Sequence, residues 1–371
     1  MRRIFEIFVC LGSITLFAVS LFGETETQKQ EILLHTALYF AALPLEAEAG
    51  SSFYKQTLMD VYPRYRENME KYWRSFRVST FDKIRAWQGR EIADLDRATI
   101  LYPFSGPDFL NVYAVYPDAD TYIMIGLEMG GLVPRLEEMP EPELRKGLAM
   151  MVEGFRIYIG WNFYRTLGMA DDLDKSPFTG TLPHVLTQLA WLDAKPLSIA
   201  SVRFTPEGEM IKEPLQRGEM TRSWVMECRA SSGRTQRIIY LCQDISNEGL
   251  RGEQGVKRWL EALPPVSGLF KAASYLPPRV EFSEITRICL DKMKVLVQDD
   301  SGIPYRMLKS NYDVTVYGWY VGPHRKFPSY GQPDLAAIYR ASAKRSIEFN
   351  FQYDRPDKTR NLMVARRKAE N

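Results

Sequence analysis

Residues 99–128 read TILYPFSGPDFLNVYAVYPDADTYIMIGLE, and the fold turns on how this stretch is read. Residues 110–116 and 121–127 are rich in β-branched and aromatic side chains, with Pro117-Asp118-Ala119-Asp120 between them. Proline presets φ for the first central position of a turn, and aspartate suits the next. The pattern predicts a β-hairpin closed by that loop. Both predicted strands are apolar on both faces, which places them centrally in a sheet covered on both sides. Ahead of them stands Phe104-Ser105-Gly106-Pro107-Asp108. Gly106 precedes a proline and is pushed toward extended backbone. Ser105 and Asp108 then sit at the mouth of a buried strand, where a rigid loop can carry function. The bland alternative is a turn that merely starts the strand.

Upstream, residues 31–43 read as a helix stopped by Pro44, residues 51–61 as a weaker one, and Pro63 starts another. Tyr65, Met69, Tyr72, Trp73 and Phe76 recur at helical spacing, and residues 80–94 continue the helical region. Arg64, Arg66, Lys71, Arg74, Arg77, Lys83, Arg85 and Arg90 make this part basic. They form a solvated outer face or a contact with an anionic surface.

Downstream, apolar residues from Leu144 to Leu167 recur three or four apart and predict a long buried helix. Asp171-Asp172-Leu173-Asp174 after it fails the calcium-loop template, because Pro177 stands where glycine is required. Residues 181–191 predict a helix with His184 at the surface or as a cap in its first turn. Residues 197–204, 209–212, 222–229 and 235–242 read as a β-meander with Gly208 and Gly233 in its turns. Residues 255–263, 282–297 and 334–343 predict helices, and residues 312–320, 346–353 and 362–365 predict strands. Helices and strands come in separate runs, which favours an α+β fold: one antiparallel sheet with helices packed on it. The expected organisation is a signal segment over residues 1–23 and a single domain over 24–371. That domain has a helical part over 31–95 and a mixed part over 99–371.

The amino terminus supports export. Arg2 and Arg3 precede an apolar run over residues 7–22, and Ala18-Val19-Ser20 fits a small-x-small cleavage site. The alternatives are an uncleaved membrane anchor, since the run is at the short edge of spanning length, and a cytosolic amino-terminal helix. The expected location is periplasmic or secreted. Cys10 follows large residues, unlike a lipoprotein cysteine.

Without that segment, Cys228, Cys242 and Cys289 remain. If a hairpin turn centres near Ser232, Cys228 faces Gln236, and Cys242 lies roughly 20 Å further up the partner strand. A disulfide needs Cα atoms within about 7 Å. The cysteines are therefore expected to be free and buried.

The net charge of +2 leaves no electrostatic footprint for nucleic acid. No Gly-x-Ser-x-Gly elbow, His-Glu-x-x-His, Walker loop or Cys-x-x-Cys is present. No cofactor or metal is expected. The histidines are His35, His184 and His324 alone. Unusual residues concentrate again in Gln298-Asp299-Asp300-Ser301-Gly302-Ile303-Pro304-Tyr305 and in Tyr317-Gly318-Trp319-Tyr320-Val321-Gly322-Pro323-His324.

Residues 271–276, 298–304, 102–109 and 317–323 resemble a family of exported bacterial proteins with no assigned activity. The resemblance spans most of the mature chain. It implies one architecture and no mechanism.

Two functional classes remain open. The first is an exported or envelope-associated binding protein for a small molecule or glycan. Its pocket would be lined by Tyr113, Tyr305, Trp319 and Tyr320, with Asp108 and Asp299 as polar anchors. The second is a hydrolase using two carboxylates from Asp108, Asp299 and Asp300. Below it stands a Ser105 or Ser301 nucleophile with His324 as base. Either class needs the 105–108 and 299–302 loops to adjoin one cleft. Whether the chain is an enzyme stays open.

Overall fold

The computed structural model describes residues 25–45, 60–95, 99–162, 175–351 and 360–369. The expected signal segment, most of the 51–61 helix, the acidic loop at 171–174, and residues 163–167 and 352–353 lie outside the described residues. Helices α1 (Glu26–Phe40), α2 (Tyr62–Phe76) and α3 (Asp82–Glu91) come first, the last two joined by the π-helical turn Arg77–Phe81. Thr25 starts α1 with a reciprocal capping box to Gln28.

Residues 99–126 do not form the expected hairpin. Strands β1 (Thr99–Tyr102) and β2 (Thr121–Gly126) lie side by side and parallel, with Thr99 opposite Thr121 and Tyr102 opposite Met124. Between them the chain returns through helix α4 (Phe109–Val115), whose residues are all buried. A helix buried all round is a continuous apolar run in sequence, and periodicity alone cannot tell it from a core strand. Pro117 to Asp120 joins this helix to β2. Gly106, expected extended, has φ +50.

Helices α5 (Glu141–Trp161) and α6 (Leu182–Trp191) follow, then β3 (Lys195–Phe204), β4 (Met210–Pro214), β5 (Trp224–Arg229) and β6 (Thr235–Cys242). Helices α7 (Asn247–Gly252) and α8 (Gln254–Glu261) lead to β7 (Val266–Phe270). Next come α9 (Ser283–Lys292), β8 (Met293–Gln298), α10 (Tyr305–Leu308), β9 (Tyr312–Trp319), α11 (Pro333–Ala341) and β10 (Arg360–Arg367). The helix expected over 282–297 thus ends at Lys292. The β-branched alternation after it makes a strand that pairs with β7 and β10. Residues 346–351, expected as a strand, carry no strand structure.

The fold is α+β, but the sheet is mixed rather than antiparallel. Its ten described strands run in the order β4-β3-β5-β6-β2-β1-β7-β8-β10-β9. The centre, β6-β2-β1-β7-β8, is parallel. The flanks β4-β3-β5 and β10-β9 pair antiparallel. The expected meander is reordered, because β3 lies between β4 and β5. The β5–β6 hairpin keeps the expected register, with Cys228 opposite Gln236, and all three described cysteines are free and buried.

Alternate residues of the central strands feed two apolar layers, as the pleat requires. Tyr122 and Met124 of β2 point into the layer built with α1 to α6, and Ile123 and Ile125 into the one built with α7 to α10. The chain therefore crosses over one face between β1 and β2, and over the other between β6, β7 and β8. From β1 it moves outward to β2 and β6, then returns to the far side of β1 for β7 and β8. The order reverses between β1 and β7. In doubly wound sheets ligands bind outside the carboxyl ends of the strands at such a reversal. Among the described residues, no helix is long and apolar enough to cross a membrane.

Candidate functional site

The carboxyl ends of β1, β7 and β8 each run into a loop bearing buried charge. After β1 comes Asp108, 2 % exposed at the start of α4. Its Oδ2 accepts from the Tyr102 hydroxyl at 2.9 Å and from Lys271 Nζ at 3.0 Å. Its Oδ1 accepts from the Tyr158 hydroxyl at 2.7 Å and from Asn111 Nδ2 at 2.8 Å. Lys271 is the first residue after β7, and its ammonium also donates to the carbonyl of Asn162. Asn162 caps α5 in the left-handed region, φ 56. Thus β1, β7, α4 and α5 meet at one ion pair. Asn111 is fully buried, yet its Oδ1 finds no hydrogen-bond partner among the described residues. Such an unmade bond costs about 1–3 kcal/mol.

The second cluster follows β8. Asp299 Oδ1 accepts from Ser301 N at 2.8 Å and from Ser301 Oγ at 2.5 Å. Its Oδ2 accepts from Ala272 N at 2.8 Å, and Ser301 Oγ accepts from Ala273 N at 2.7 Å. The β8 loop therefore holds the backbone of the β7 loop. That backbone is strained: Ala272, Ser274 and Tyr275 all have φ between 50 and 54. Non-glycine residues in this region cost of order 1–3 kcal/mol each and persist where the surroundings fix them. Asp300 accepts from the Tyr275 hydroxyl at 2.7 Å and from Asn361 Nδ2 at 3.0 Å. Burial, then the neighbouring Asp300 charge, pushes the Asp299 carboxyl up to about 7. Burial and Asp300 together raise the Tyr275 phenol far above its usual value.

A third carboxylate, Glu128, lies just past the end of β2 and is 2 % exposed. The Tyr240 hydroxyl donates to its carbonyl at 2.8 Å and reaches its Oε2 at 3.3 Å. Asp108, Glu128, Asp299, Asp300 and Lys271 are all the buried Asp, Glu and Lys side chains of the described residues. They gather at one edge of the sheet. Solvent reaches that edge around half-buried Phe104, Ala272, Ser274 and Tyr320 and exposed Trp319.

The residues singled out from sequence fare unevenly. The 105–108 and 299–302 loops lie on the same edge, two strand spacings or roughly 10 Å apart, bridged by Lys271 to Ala273. Asp108 and Asp299 are not a bare pair, because Asp108 Oδ2 is held by Lys271 and Tyr102 and its Oδ1 by Tyr158 and Asn111. Ser105 Oγ contacts the carbonyls of Gly106 and Ile125 and serves the turn. Ser301 spends its hydroxyl proton on Asp299. His324 joins through its backbone, donating N–H to the Tyr275 hydroxyl at 2.9 Å, while its Nδ1 accepts from Lys326 N.

Tyr305 and Tyr320 approach Asp300 through Gln332: its Oε1 accepts from Tyr305 N, its N–H donates to the Tyr320 hydroxyl, and its Nε2 donates to Asp300 O. Trp319 stays 43 % exposed at the same edge. Tyr113 is not part of this group. It packs against Tyr122 and Phe109 near Ser231, at the opposite end of the parallel strands. His184, expected at the surface or as a cap, is instead buried against Phe155, and burial lowers its pKa to about 4.

Sequence reading missed Lys271, Asn111, Tyr102, Tyr158 and Glu128 as site residues. Lys271 alone left a trace: one cation inside the apolar run from Val266 to Tyr275. Among the described residues, no group of three His, Cys, Asp or Glu side chains could hold a metal. No family model, no curated protein and no solved structure matches the chain.

Proposed function

We propose that this chain is an exported binding protein whose small polar ligand sits at the β1/β7 reversal. One observation carries the reading: every buried Asp, Glu and Lys of the described residues stands at that edge. A fold does not place four carboxylates and a lysine out of water for stability, since a buried ion pair is often no better than apolar packing. The left-handed run through Ala272, Ser274 and Tyr275 points the same way, because strain of this kind clusters at ligand clamps. The test is an unbiased thermal-shift screen of the mature chain and its Lys271→Met variant against metabolites and envelope glycans. A ligand that stabilises the parent and loses affinity in the variant is expected. No ligand across the screen overturns the reading. Export rests on Arg2, Arg3 and the apolar run behind them. Fractionating cells that express the full chain checks it, and mature protein confined to the cytoplasm overturns it.

A carboxylate hydrolase is the second reading, and the raised Asp299 beside Asp300 favours it. In this form the pair is Asp299 and Asp300, with Asp108 holding Lys271 in place. Turnover of glycan or ester substrates that Asp299→Asn abolishes, with ligand affinity kept, would select it over simple binding.

A further inference from the structure

We propose that the ligand at this edge is a ribonucleoside, held by its ribose hydroxyls on Glu128 and carrying no phosphate at the β1 turn. The proposal rests on the ligand-site reading above and narrows it to one chemical class. In doubly wound sheets the turn after the first strand approaches the ligand, and an acidic side chain about 20 residues later takes the ribose hydroxyls. Here the turn after β1 carries Gly106 at φ +50, and Glu128 stands at the end of β2, 22 positions after Gly106. The two are in register in space as well as in sequence. A Cβ added to Gly106 would lie 3.4 Å from Glu128 Oε2, and one added to Gly126 would lie 2.9 Å from the Gly106 Cα. The Tyr240 hydroxyl holds the acid at this spot. A carboxylate has two oxygens and accepts a vicinal diol through both.

The same turn argues against phosphate. A dinucleotide site puts pyrophosphate on backbone N–H groups at a helix start. Here Asp108 occupies that position, and the Leu110 N–H of the helix start already donates to Gln188 Oε1 at 2.9 Å. The carboxyl groups of Asp108, Glu128, Asp299 and Asp300 are all buried at this edge, and Lys271 is the one buried lysine among the described residues. Asn111 adds an acceptor that lacks a donor. The groups around the reversal are mostly oxygen acceptors, which suit a ligand that brings hydrogen-bond donors or positive charge rather than a phosphate.

The experiment is isothermal titration of the mature chain with adenosine, guanosine, cytidine, uridine and S-adenosylmethionine, whose sulfonium is positive. Each nucleoside is compared with its 2′-deoxy and 5′-monophosphate forms. At least one ribonucleoside compound is expected to bind. Its 2′-deoxy and phosphorylated forms should bind roughly tenfold to hundredfold more weakly, the range set by one lost bond to a charged acceptor. In Glu128→Gln the preference for ribose over deoxyribose should disappear. The comparison among ligands on the parent chain needs no variant, so a Glu128→Gln chain that fails to fold leaves the test intact. Tighter binding of the monophosphates, or equal binding of the deoxy forms, overturns the proposal. If none of these compounds binds while the wider screen finds a Lys271-dependent ligand, the nucleoside assignment falls and the ligand site stands. If neither finds a ligand, both fall.

Discussion

Lys271 and Asp108 show how much one residue pair commits. Both are buried, their side chains 0 % and 2 % exposed, and they share a 3.0 Å contact. Removing one partner leaves a bare buried charge, at a cost of about 3–5 kcal/mol. Removing both with apolar residues of similar volume is often neutral. Lys271→Met should therefore lower unfolding free energy in urea by that amount, and Lys271→Met with Asp108→Leu should recover most of it. Stability unchanged in the single variant would mean that the pair is hydrated. Ligand binding should follow the opposite rule. The double variant, though folded, should bind nothing, which separates the stabilising role from the binding one. Gly126 is the second residue-scale case. A Cβ there would stand 2.7 Å from the Tyr240 hydroxyl and 2.9 Å from the backbone of Gly106. Because backbone cannot swing aside, Gly126→Ala should cost about 1–3 kcal/mol by the same denaturation measurement.

At the scale of elements, α4 decides the topology. Phe109 is fully buried and packs edge-on against Tyr122 of β2, with ring centroids 5.1 Å apart. Phe109→Ala should cost about 3–5 kcal/mol, the usual result of emptying an aromatic site in a packed core. A cost below 1 kcal/mol in urea melts would deny that α4 is clamped between the sheet and the outer helices. This helix also marks where sequence reading failed. Phe109, Val112, Tyr113 and Val115 favour strands locally, and only the packing on every side makes them helical. The β5–β6 hairpin was legible because a tight turn fixes its register within a few residues. The order of the parallel strands was not, since partners such as β1 and β7 are more than 160 residues apart and no local pattern encodes them. The site divides the same way. Ser105 to Asp108 and Asp299 to Gly302 stood out by composition, and the structure sets them on one edge. Asn111 and Tyr158 join only because α4 and α5 cross there, and Glu128 only because β2 lies beside β1.

Across the whole molecule, two buried groups pull stability in opposite directions as pH changes. Asp299 is raised from 3.8 to about 7, by burial first and then by Asp300. The folded state therefore holds a proton that the unfolded state releases. This contribution is fully present below about pH 4 and is lost as pH rises through 7. His184 is lowered from 6.5 to about 4 by burial. The unfolded state binds the proton first, so its contribution is present above about pH 6.5 and is lost as pH falls through 4. Between pH 4 and 7 each group changes unfolding free energy by up to about 1.4 kcal/mol per pH unit, with opposite sign. The parent chain should therefore show a flattened dependence across this window. Asp299→Asn leaves the histidine in command, so stability should rise with pH from 4 to 6.5. His184→Asn leaves the carboxylate in command, so stability should fall from pH 4 to 7. Urea denaturation of the three proteins at half-unit pH steps measures both slopes. Parallel curves for all three would mean that neither group keeps its shifted pKa in the folded chain. A ligand bringing positive charge should itself lower the Asp299 pKa. The parent curve would then tilt toward higher stability at neutral pH once the ligand is added, while Asp299→Asn would gain only a uniform shift.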